Sequence, residues 1–564
     1  MSQNAKNLGL IAIFLGCIFV FNVVVWMSWN SSFILNDGIQ YLSTATNWLE
    51  GRGFSTNALM YTPHFQGTLP APQTVWPPGY PLIIALTSML GMSLQSASLL
   101  INLISLAVSA LLVYVILVRY KLSYSAAFVC ALIFYCTAMP WSYSVALITE
   151  PIFSLLILAA IYFQPNDVRG KIGPWVISGI FIALCVFTHY SGVIFAVGVG
   201  LGMFAYLIVS YHTEPRLLLR GIALLTLQIS ISVALFLAML YRTYLLTGTI
   251  SRSIGVVETE HSWLARLKIT VWQVNEYLGF TEAGFLSSPA SNLLFGLVLL
   301  LLVIILAQVL FVTIKALRRA LPTDTLSNDV MRYVIVGHSF VFVVFFGLHI
   351  VGISIVELSH RYLHQIYPGV FILICILVAN CFEKMKLLHL TGPSFWFRRS
   401  LGVLLCLFLI GQANSATATK YHASAGRQLQ EVVALKVSAN IDLQAMIQSC
   451  FKRSGSTVGS IWSNGGQQLH QATGVPTITI ADVYGNKPYE MENVRAQIAD
   501  YDIKMFVFLN NLPDIAPDYV RMLSNVKQFL ELSGYTKVPM LENRISDNIT
   551  IDTYAVDQAC LNLE

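Results

Sequence analysis

The sequence contains long apolar segments that carry no charged side chain, and these segments constrain its fold most. The first, residues 8–29, contains no Asp, Glu, Lys or Arg and closes with Trp26 and Trp29. A helix of about 20 residues crosses the ~30 Å hydrocarbon core of a bilayer, and tryptophan is enriched at the membrane interfaces. Of the 564 residues only 11% are charged, against about 25% in soluble domains. The sequence therefore predicts a polytopic membrane protein.

Further segments have the composition of membrane spans, which gives about eleven spans in total. They are 93–118, 123–146, 148–163, 174–189, 191–211, 221–246, 290–315, 332–356, 362–382 and 399–415. No small-residue cleavage site follows the first segment, so we interpret it as a retained span and not as a signal peptide. Residues 1–415 are thus predicted to form an all-α polytopic membrane bundle.

Lysine and arginine in the short connections indicate the orientation of this bundle. In the span assignment above they fall on one side, for example Arg119, Arg169 and Arg318. Cytoplasmic loops are enriched in these residues, so the N-terminus is predicted to be cytoplasmic and the region after about residue 416 extracytoplasmic. These cytoplasmic lysine and arginine residues account for the formal net charge of +5, which therefore does not indicate a nucleic-acid partner.

Residues 416–564 form a more polar region with short apolar runs. Apolar residues recur at helical spacing around 429–446 and 519–530, and four runs bounded by Gly, Asn or Pro predict strands. These runs are 458–462, 477–480, 505–509 and 549–554. The region is therefore predicted to be a small extracytoplasmic α/β domain. Its two cysteines, Cys450 and Cys560, either form a disulfide there or remain free thiols.

The first extracytoplasmic loop, residues 30–92, is polar, rich in proline and longer than a connection between spans usually is. Asp37 lies a few residues beyond the first span, where a carboxylate can act as a general base. It also suits the N-cap of a helix over 38–50, and the two roles are compatible. A short helix over 81–90 is predicted to lie at the outer surface, because it is too brief to cross the membrane.

Four more ionisable residues fall at the outer ends of predicted spans. Glu150 is either a functional carboxylate at membrane depth or an ordinary first-turn residue, with Thr149 as helix cap. Arg361 either binds a phosphate or anchors its span at the membrane surface. His360 and His189 either assist phosphate binding and proton transfer or have a structural role.

The second long outer loop contains Glu258, Glu260 and His261, whose oxygen and nitrogen atoms are of the types that bind divalent metals. The alternative is a set of solvated loop residues. All of these candidates fall on the same side of the membrane in a topology that is assigned from the positions of lysine and arginine alone. We therefore predict an outward-facing aqueous cavity suited to an anionic, lipid-linked substrate.

Several short motifs occur in an order that resembles the GT-C superfamily of polytopic glycosyltransferases. The likeness is to the bacterial RgtA/B/C/D-like group, which is related to protein O-mannosyltransferases and to the lipid A aminoarabinose transferase. The matching segments are 37–41 (DGIQY), 49–54 (LEGRGF), 76–82 (WPPGYPL), 149–151 (TEP), 360–363 (HRYL) and 367–368 (YP).

The resemblance implies a GT-C type bundle and transfer of a sugar from a polyprenyl-phosphate donor. The acceptor would be a lipid, a glycan or a protein at the outer face of the bacterial inner membrane, among the surrounding membrane lipids. Asp37 matches the position of the catalytic base, Glu150 a second acidic position and Arg361 a position near the donor phosphate. His189 departs from the Arg that relatives often have. A divalent metal stays open as a cofactor, since the superfamily has no single metal requirement.

The motif WPPGYP is expected to be architectural, because proline fixes φ and Trp76 and Tyr80 suit the headgroup level, with Pro78 between them. Two other functions remain open. A secondary transporter predicts discontinuous helices in two similar halves and binding near the midplane. A polysaccharide polymerase or ligase shares the lipid-linked donor but normally has a large outer loop late in the bundle.

Overall fold

The computed structural model describes most of residues 36–247 and parts of the remainder. The described residues are 16, 18, 20, 22–27, 36–59, 70–120, 122–165, 168–247, 367–372, 375–376, 460–463, 477–479, 503–510, 526–528, 530–532, 535–537 and 550–555. They fall into two compact units. The first unit contains the described residues among 16–27, 95–240 and 367–376, and the second contains 36–94, 241–247 and the described part of the C-terminal region.

The described helices occupy most of residues 36–247. They are α1 (Asn36–Leu49), α2 (Gly79–Ser88), α3 (Leu94–Arg119), α4 (Tyr124–Cys136), α5 (Ala138–Val145), α6 (Glu150–Tyr162), α7 (Gly173–Thr188), α8 (Gly192–Tyr211) and α9 (Pro215–Thr247). Two of them, α3 and the Pro215–Leu246 part of α9, are long and apolar enough to cross a membrane. The described residues thus support two of the predicted spans by length, and the spans predicted from 290 to 356 and from 399 to 415 lie outside them.

Residues 22–27 are helical and pack in the first unit against α3. Val25 joins a buried cluster with Leu99, Leu103 and Val145. The Asn22 amide donates to the Leu103 carbonyl at 3.2 Å and accepts from the Tyr135 hydroxyl at 2.6 Å. The described part of the first apolar segment is therefore fixed to α3 and α4 by both apolar and polar contacts.

The single span predicted over 123–146 is wrong in one respect, because the structure divides it into α4 and α5. Thr137 separates the two helices with an extended conformation, φ −63° and ψ 134°. Pro140 explains the break: its ring would clash with the carbonyl of residue 136 in a continuous helix but fits the first turn of a new one. The Tyr367 hydroxyl lies 2.7 Å from the Thr137 hydroxyl, and the Tyr367 ring stacks on Phe134.

A buried polar cluster joins α7 and α9 in the first unit. The Gln228 amide donates to Gln164 Oε1 at 3.1 Å and to Ser178 Oγ at 2.9 Å. The Ser178 hydroxyl lies within hydrogen-bonding distance of the Ala160 carbonyl and of Gln164 Oε1. At the same level Gly179 approaches the backbone of Gln228 so closely that a Cβ there would lie 2.6 Å from the Gln228 carbonyl oxygen.

The second unit contains two sheets. Strands β1 (Ser55–Thr56) and β3 (Ala71–Pro72) form an antiparallel pair, while β2 (Ala58–Leu59) belongs to a six-stranded sheet. The other strands of that sheet are β4 (Ser460–Ser463), β5 (Thr477–Thr479), β6 (Ile503–Asn510), β7 (Thr536–Lys537) and β8 (Thr550–Ala555). Their order is β2-β5-β4-β6-β8-β7, so the first loop supplies a strand to the sheet of the C-terminal region.

The four strands predicted after residue 416 are present in this sheet as β4, β5, β6 and β8. The pairs β2·β5, β5·β4 and β4·β6 are parallel, and the pairs β6·β8 and β8·β7 are antiparallel. Phe506 and Phe508 of β6 and Tyr554 of β8 are almost fully buried. The helix predicted over 429–446 and both Cys450 and Cys560 lie outside the described residues.

Candidate functional site

Helix α1 presents a buried polar face that begins with Asp37. The helix starts at Asn36, so Asp37 lies within its first turn, where a carboxylate suits the helix dipole. Asp37, Gln40, Tyr41 and Thr44 recur at spacings of three and four residues, which places them on one face. All four are buried, with 8% of Asp37 and 1% of Gln40 exposed. The helix thus begins two residues before the predicted residue 38, and Asp37 lies inside its first turn instead of at the N-cap.

The turn WPPGYP packs α2 against this face. Pro78 occupies the N-cap position of α2, and Tyr80 is fully buried. The Tyr41 ring meets Tyr80 edge-on at a centroid distance of 5.2 Å and Trp76 at 5.8 Å. Such edge-to-face pairs stabilise packing beyond the area that they bury. These aromatic contacts fix the orientation of α1 in the second unit.

The side chain of Gln73 links the same face to the turn. Its Oε1 accepts from the backbone N–H groups of Val75 at 3.0 Å and Trp76 at 3.4 Å. Its Nε2 donates to Gln40 Oε1 at 3.2 Å and to Thr44 Oγ1 at 3.4 Å. Because a backbone N–H can only donate, these contacts define which end of the Gln73 amide is oxygen.

Arg242, near the end of α9, holds the main chain on which Gln73 lies. Its Nη1 donates to the Gln73 carbonyl and its Nη2 to the Phe54 carbonyl, both at 2.9 Å. The Phe54 carbonyl also accepts from the Gln73 N–H at 2.9 Å. The planar guanidinium suits this double contact. Sequence reasoning missed Arg242, although an arginine inside the predicted span 221–246 was a signal for it.

The motif LEGRGF ends α1 and returns the chain beside it. Gly51 and Gly53 have φ of 78° and 69°, a region that favours glycine. The Arg52 N–H donates to the Asn47 carbonyl at 2.8 Å, which closes the last turn. The Asn47 amide donates to the Ser55 carbonyl at 3.0 Å, so the strand β1 is attached directly to α1.

Glu150 lies in the first turn of α6 in the first unit and is 2% exposed. Thr149 occupies the N-cap position as predicted but makes no side-chain cap bond; its hydroxyl instead lies 3.5 Å from Glu150 Oε2. The Asn102 amide of α3 donates to the Ala146 carbonyl at 2.6 Å and to the Ile148 carbonyl at 3.2 Å. Asn102, which the sequence did not single out, thus fixes the chain immediately before Glu150.

His189 follows the last residue of α7 and lies at the same end of the α6–α7 pair as Glu150. Its ring is 5.5 Å from the ring of Phe153, which is three residues after Glu150 on α6. Nδ1 accepts from the Ser191 N–H at 3.2 Å and lies 2.6 Å from the Ser191 hydroxyl. The backbone donor assigns the lone pair to Nδ1, so a neutral ring carries its proton on Nε2.

The structure thus describes three of the predicted ionisable site residues. Glu150 and His189 share one end of two helices in the first unit, and Asp37 lies on α1 in the second unit. Glu258, His261, His360 and Arg361 lie outside the described residues. Within the described part of the chain, no group of three or more His, Cys, Asp or Glu side chains could hold a metal ion.

Comparison of sequences gives no match, either to a known protein family or to a curated protein. Comparison of folds gives several. The oligosaccharyltransferase AglB from Archaeoglobus fulgidus, in complex with an inhibitory peptide and a dolichol-phosphate, matches with a TM-score of 0.52 and 13% identity, covering 96% of this chain and 74% of that chain. The oligosaccharyltransferase of the same organism in complex with Zn and sulfate gives 0.51 and 16%, covering 97% and 74%.

ArnT from Cupriavidus metallidurans in the apo state has a TM-score of 0.47 and 12% identity, covering 98% of this chain and 99% of that chain. At such identities the comparison concerns the fold. The two archaeal structures are GT-C glycosyltransferases and match nearly the whole chain. The resemblance to GT-C glycosyltransferases predicted from the motifs is therefore confirmed at the level of the fold, whereas the eleven spans and the C-terminal α/β domain stay predictions.

Proposed function

We propose that this chain, which has the GT-C fold, is an integral-membrane glycosyltransferase that uses a polyprenyl-phosphate-linked sugar donor. The observation that carries the proposal is the fold shared with AglB over 96% of the chain. AglB was solved with a dolichol-phosphate and a peptide, which supports a lipid-phosphate donor here. The acceptor is a hydroxyl group of a lipid, a glycan or a protein on the extracytoplasmic side of the inner membrane.

Asp37 is the base in this proposal. It is largely buried at the start of α1, on a face that Gln73, Tyr80 and Arg242 hold in place directly or through the main chain. Asp37 takes the proton of the acceptor hydroxyl, the oxygen attacks the anomeric carbon with inversion, and the lipid phosphate leaves. A positioned general base contributes about 10²- to 10⁴-fold to a rate.

Glu150 and His189 form the second part of the proposed machinery. The Nε2–H of His189 can donate to a phosphate oxygen, because Ser191 already occupies Nδ1. Glu150 is the second acidic residue near the donor. Arg361 and His360 would stabilise the leaving phosphate, as their motif implies. A divalent metal, with Glu258 and His261 as ligands, is tested by chelation; the crystallisation of AglB with Zn motivates that test.

The membrane arrangement belongs to the same proposal. The N-terminus is cytoplasmic, about eleven helices cross the inner membrane, and the C-terminal α/β region is extracytoplasmic. The apolar composition and the two long apolar helices support it. A secondary transporter would place its ionisable residues near the membrane midplane. In the arrangement proposed here Asp37 and Glu150, each in the first turn of its helix, lie at the outer ends of the bundle.

The test is the Asp37→Asn variant of the full chain in nanodiscs, with a panel of radiolabelled undecaprenyl-phosphate sugars. We expect transfer to fall at least 100-fold with an unchanged unfolding midpoint, because asparagine keeps the shape but cannot accept the proton. Glu50→Gln is the matched control, since Glu50 is an exposed carboxylate at the end of the same helix, paired with Arg52. Full activity of the Asp37 variant would remove Asp37 from the base role.

A second experiment identifies the substrates and tests the reaction class. Cells that lack the protein should accumulate one lipid-linked sugar and contain an under-decorated acceptor, which mass spectrometry of lipids and surface glycans would detect. An unchanged glycan profile together with a lost transport activity would favour the transporter over the transferase.

A further inference from the structure

The amide of Gln40 is a buried hydrogen-bond donor whose partner the described residues do not supply. Gln40 is 1% exposed, and its Nε2 atom has no acceptor within hydrogen-bonding distance among the described residues. Buried amide groups are normally hydrogen-bonded, because leaving a donor unmade costs its full desolvation. The position of this donor therefore requires an explanation.

The orientation of the Gln40 amide follows from a chain of contacts that ends in backbone donors. Two backbone N–H groups fix Gln73 Oε1, so Gln73 Nε2 faces α1 and donates to Gln40 Oε1. Exchanging the two ends of the Gln40 amide would place two N–H groups against each other. The Gln40 oxygen thus faces Gln73, and its NH₂ group is left for another acceptor.

General helix geometry relates the Gln40 side chain to Asp37. Helical side chains lean toward the N-terminus, and residues three apart share a face, so Gln40 lies over the turn that contains Asp37. Both residues are more than nine-tenths buried. An amide donor and a carboxylate on one buried helix face can together bind a group that both accepts and donates a hydrogen bond.

Among the described residues of the second unit, the charged groups favour an uncharged ligand over a phosphate at this face. Within residues 36–59 and 70–94 the one Lys or Arg is Arg52, an exposed residue 3.1 Å from Glu50. Arg242 directs both of its terminal nitrogens to backbone carbonyls. A phosphate would meet a carboxylate and a neutral amide here, whereas a hydroxyl group can donate to the first and accept from the second.

We propose that the Gln40 amide donates a hydrogen bond to a hydroxyl oxygen of the acceptor substrate and positions that substrate beside Asp37. The inference rests on the proposed glycosyl transfer and deepens it. It assigns the Asp37 end of α1 to a neutral, polyhydroxylated acceptor and leaves the donor phosphate to other residues.

The experiment measures transfer by the full chain in nanodiscs from undecaprenyl-phosphate sugars to two acceptors, n-octyl β-D-glucopyranoside and water. Gln40→Leu removes the amide donor without adding a charge beside Asp37. We expect the KM for the glucoside to rise at least tenfold, with the donor KM and the rate of hydrolysis by water within threefold of the parent. Gln40→Met, which has a similar length and no donor, should give the same split.

Thr44→Val is the structural control, because it removes the other acceptor of the Gln73 amide and leaves the Gln40 donor in place. It should lower the unfolding midpoint and leave the glucoside KM within twofold. The inference is overturned if both Gln40 variants keep the parental glucoside KM, or if hydrolysis and glucoside transfer fall together. A parent protein that consumes no donor from the panel would contradict the proposed function itself, and the inference with it.

Discussion

Amide and guanidinium groups that bind the main chain organise both candidate sites at the scale of single residues. Asn102 holds the carbonyls before Glu150, and Gln73 holds the N–H groups before α2. The sequence predicted Asp37 and Glu150, because acidic residues near helix starts are local signals. An arginine inside a predicted span was a local signal for Arg242, but the sequence could not predict its partner, because the bond to Gln73 joins residues 169 positions apart.

Arg242→Lys tests the contribution of the guanidinium to the first loop. A lysine has the charge but not the planar pair of donors, so one of the two carbonyl contacts should be lost. We expect a loss of about 1.5–3 kcal/mol in the free energy of unfolding, the typical worth of a hydrogen bond to a charged group. Thermal unfolding in detergent, followed by intrinsic fluorescence, measures it.

The control for this change is Arg220→Lys. Arg220 donates to the Gly170 carbonyl at 3.1 Å from an exposed position, where the exchange should cost less than about 1 kcal/mol. Equal midpoints for the two variants would show that Arg242 does not stabilise the loop.

At the scale of secondary-structure elements, the observed helix ends lie close to the ends of the apolar runs. The exceptions have local causes. The predicted spans 93–118, 174–189 and 191–211 differ from α3, α7 and α8 by at most one residue at either end. The break at Thr137 reflects Pro140, and α9 starts at Pro215, six residues before the predicted 221, because proline is favoured in a first turn. Contacts between helices could not be predicted, since apolar composition does not specify which faces meet.

Gly179→Ala tests a close contact between α7 and α9. The new Cβ would lie 2.6 Å from the Gln228 carbonyl oxygen, so α7 and α9 would have to separate and weaken the bonds of Gln228 to Gln164 and Ser178. Overpacking of this kind costs about 1–3 kcal/mol. The unfolding midpoint of the purified protein should fall accordingly.

Gly200→Ala is the matched control for that variant. Its Cβ would lie 3.6 Å from Ile229 Cγ1, an ordinary van der Waals contact, and alanine favours a helix by about 0.5–1 kcal/mol over glycine. The midpoint should therefore stay or rise. A Gly179 variant as stable as the Gly200 variant would mean that α7 and α9 approach less closely than described.

At the scale of the whole molecule, the division of the chain into two units is the feature that the sequence predicts least well. Polarity along the chain separates 1–415 from 416–564, and no local pattern connects the two-residue strand β2 with β5. The structure pairs them in parallel, with Ala58 opposite Thr477 and Leu59 opposite Ile478. The loop that carries Asp37 thus shares a sheet with the C-terminal region, although hundreds of residues separate the strands.

A disulfide across this pair tests the shared sheet. Directly opposite residues on adjacent strands lie within the ~4.4–6.8 Å Cα separation that a disulfide spans, so Ala58→Cys combined with Thr477→Cys should cross-link under mild oxidation. Ala58→Cys with Thr479→Cys is displaced by two positions and should cross-link far less. Because the chain already contains nine cysteines, peptide mass spectrometry must identify the bond by its two peptides. If the displaced pair forms the disulfide at least as efficiently as the opposite pair, β2 does not pair with β5 in this register. If the opposite pair forms it preferentially and the cross-linked protein still transfers sugar, the sheet is present in the active protein.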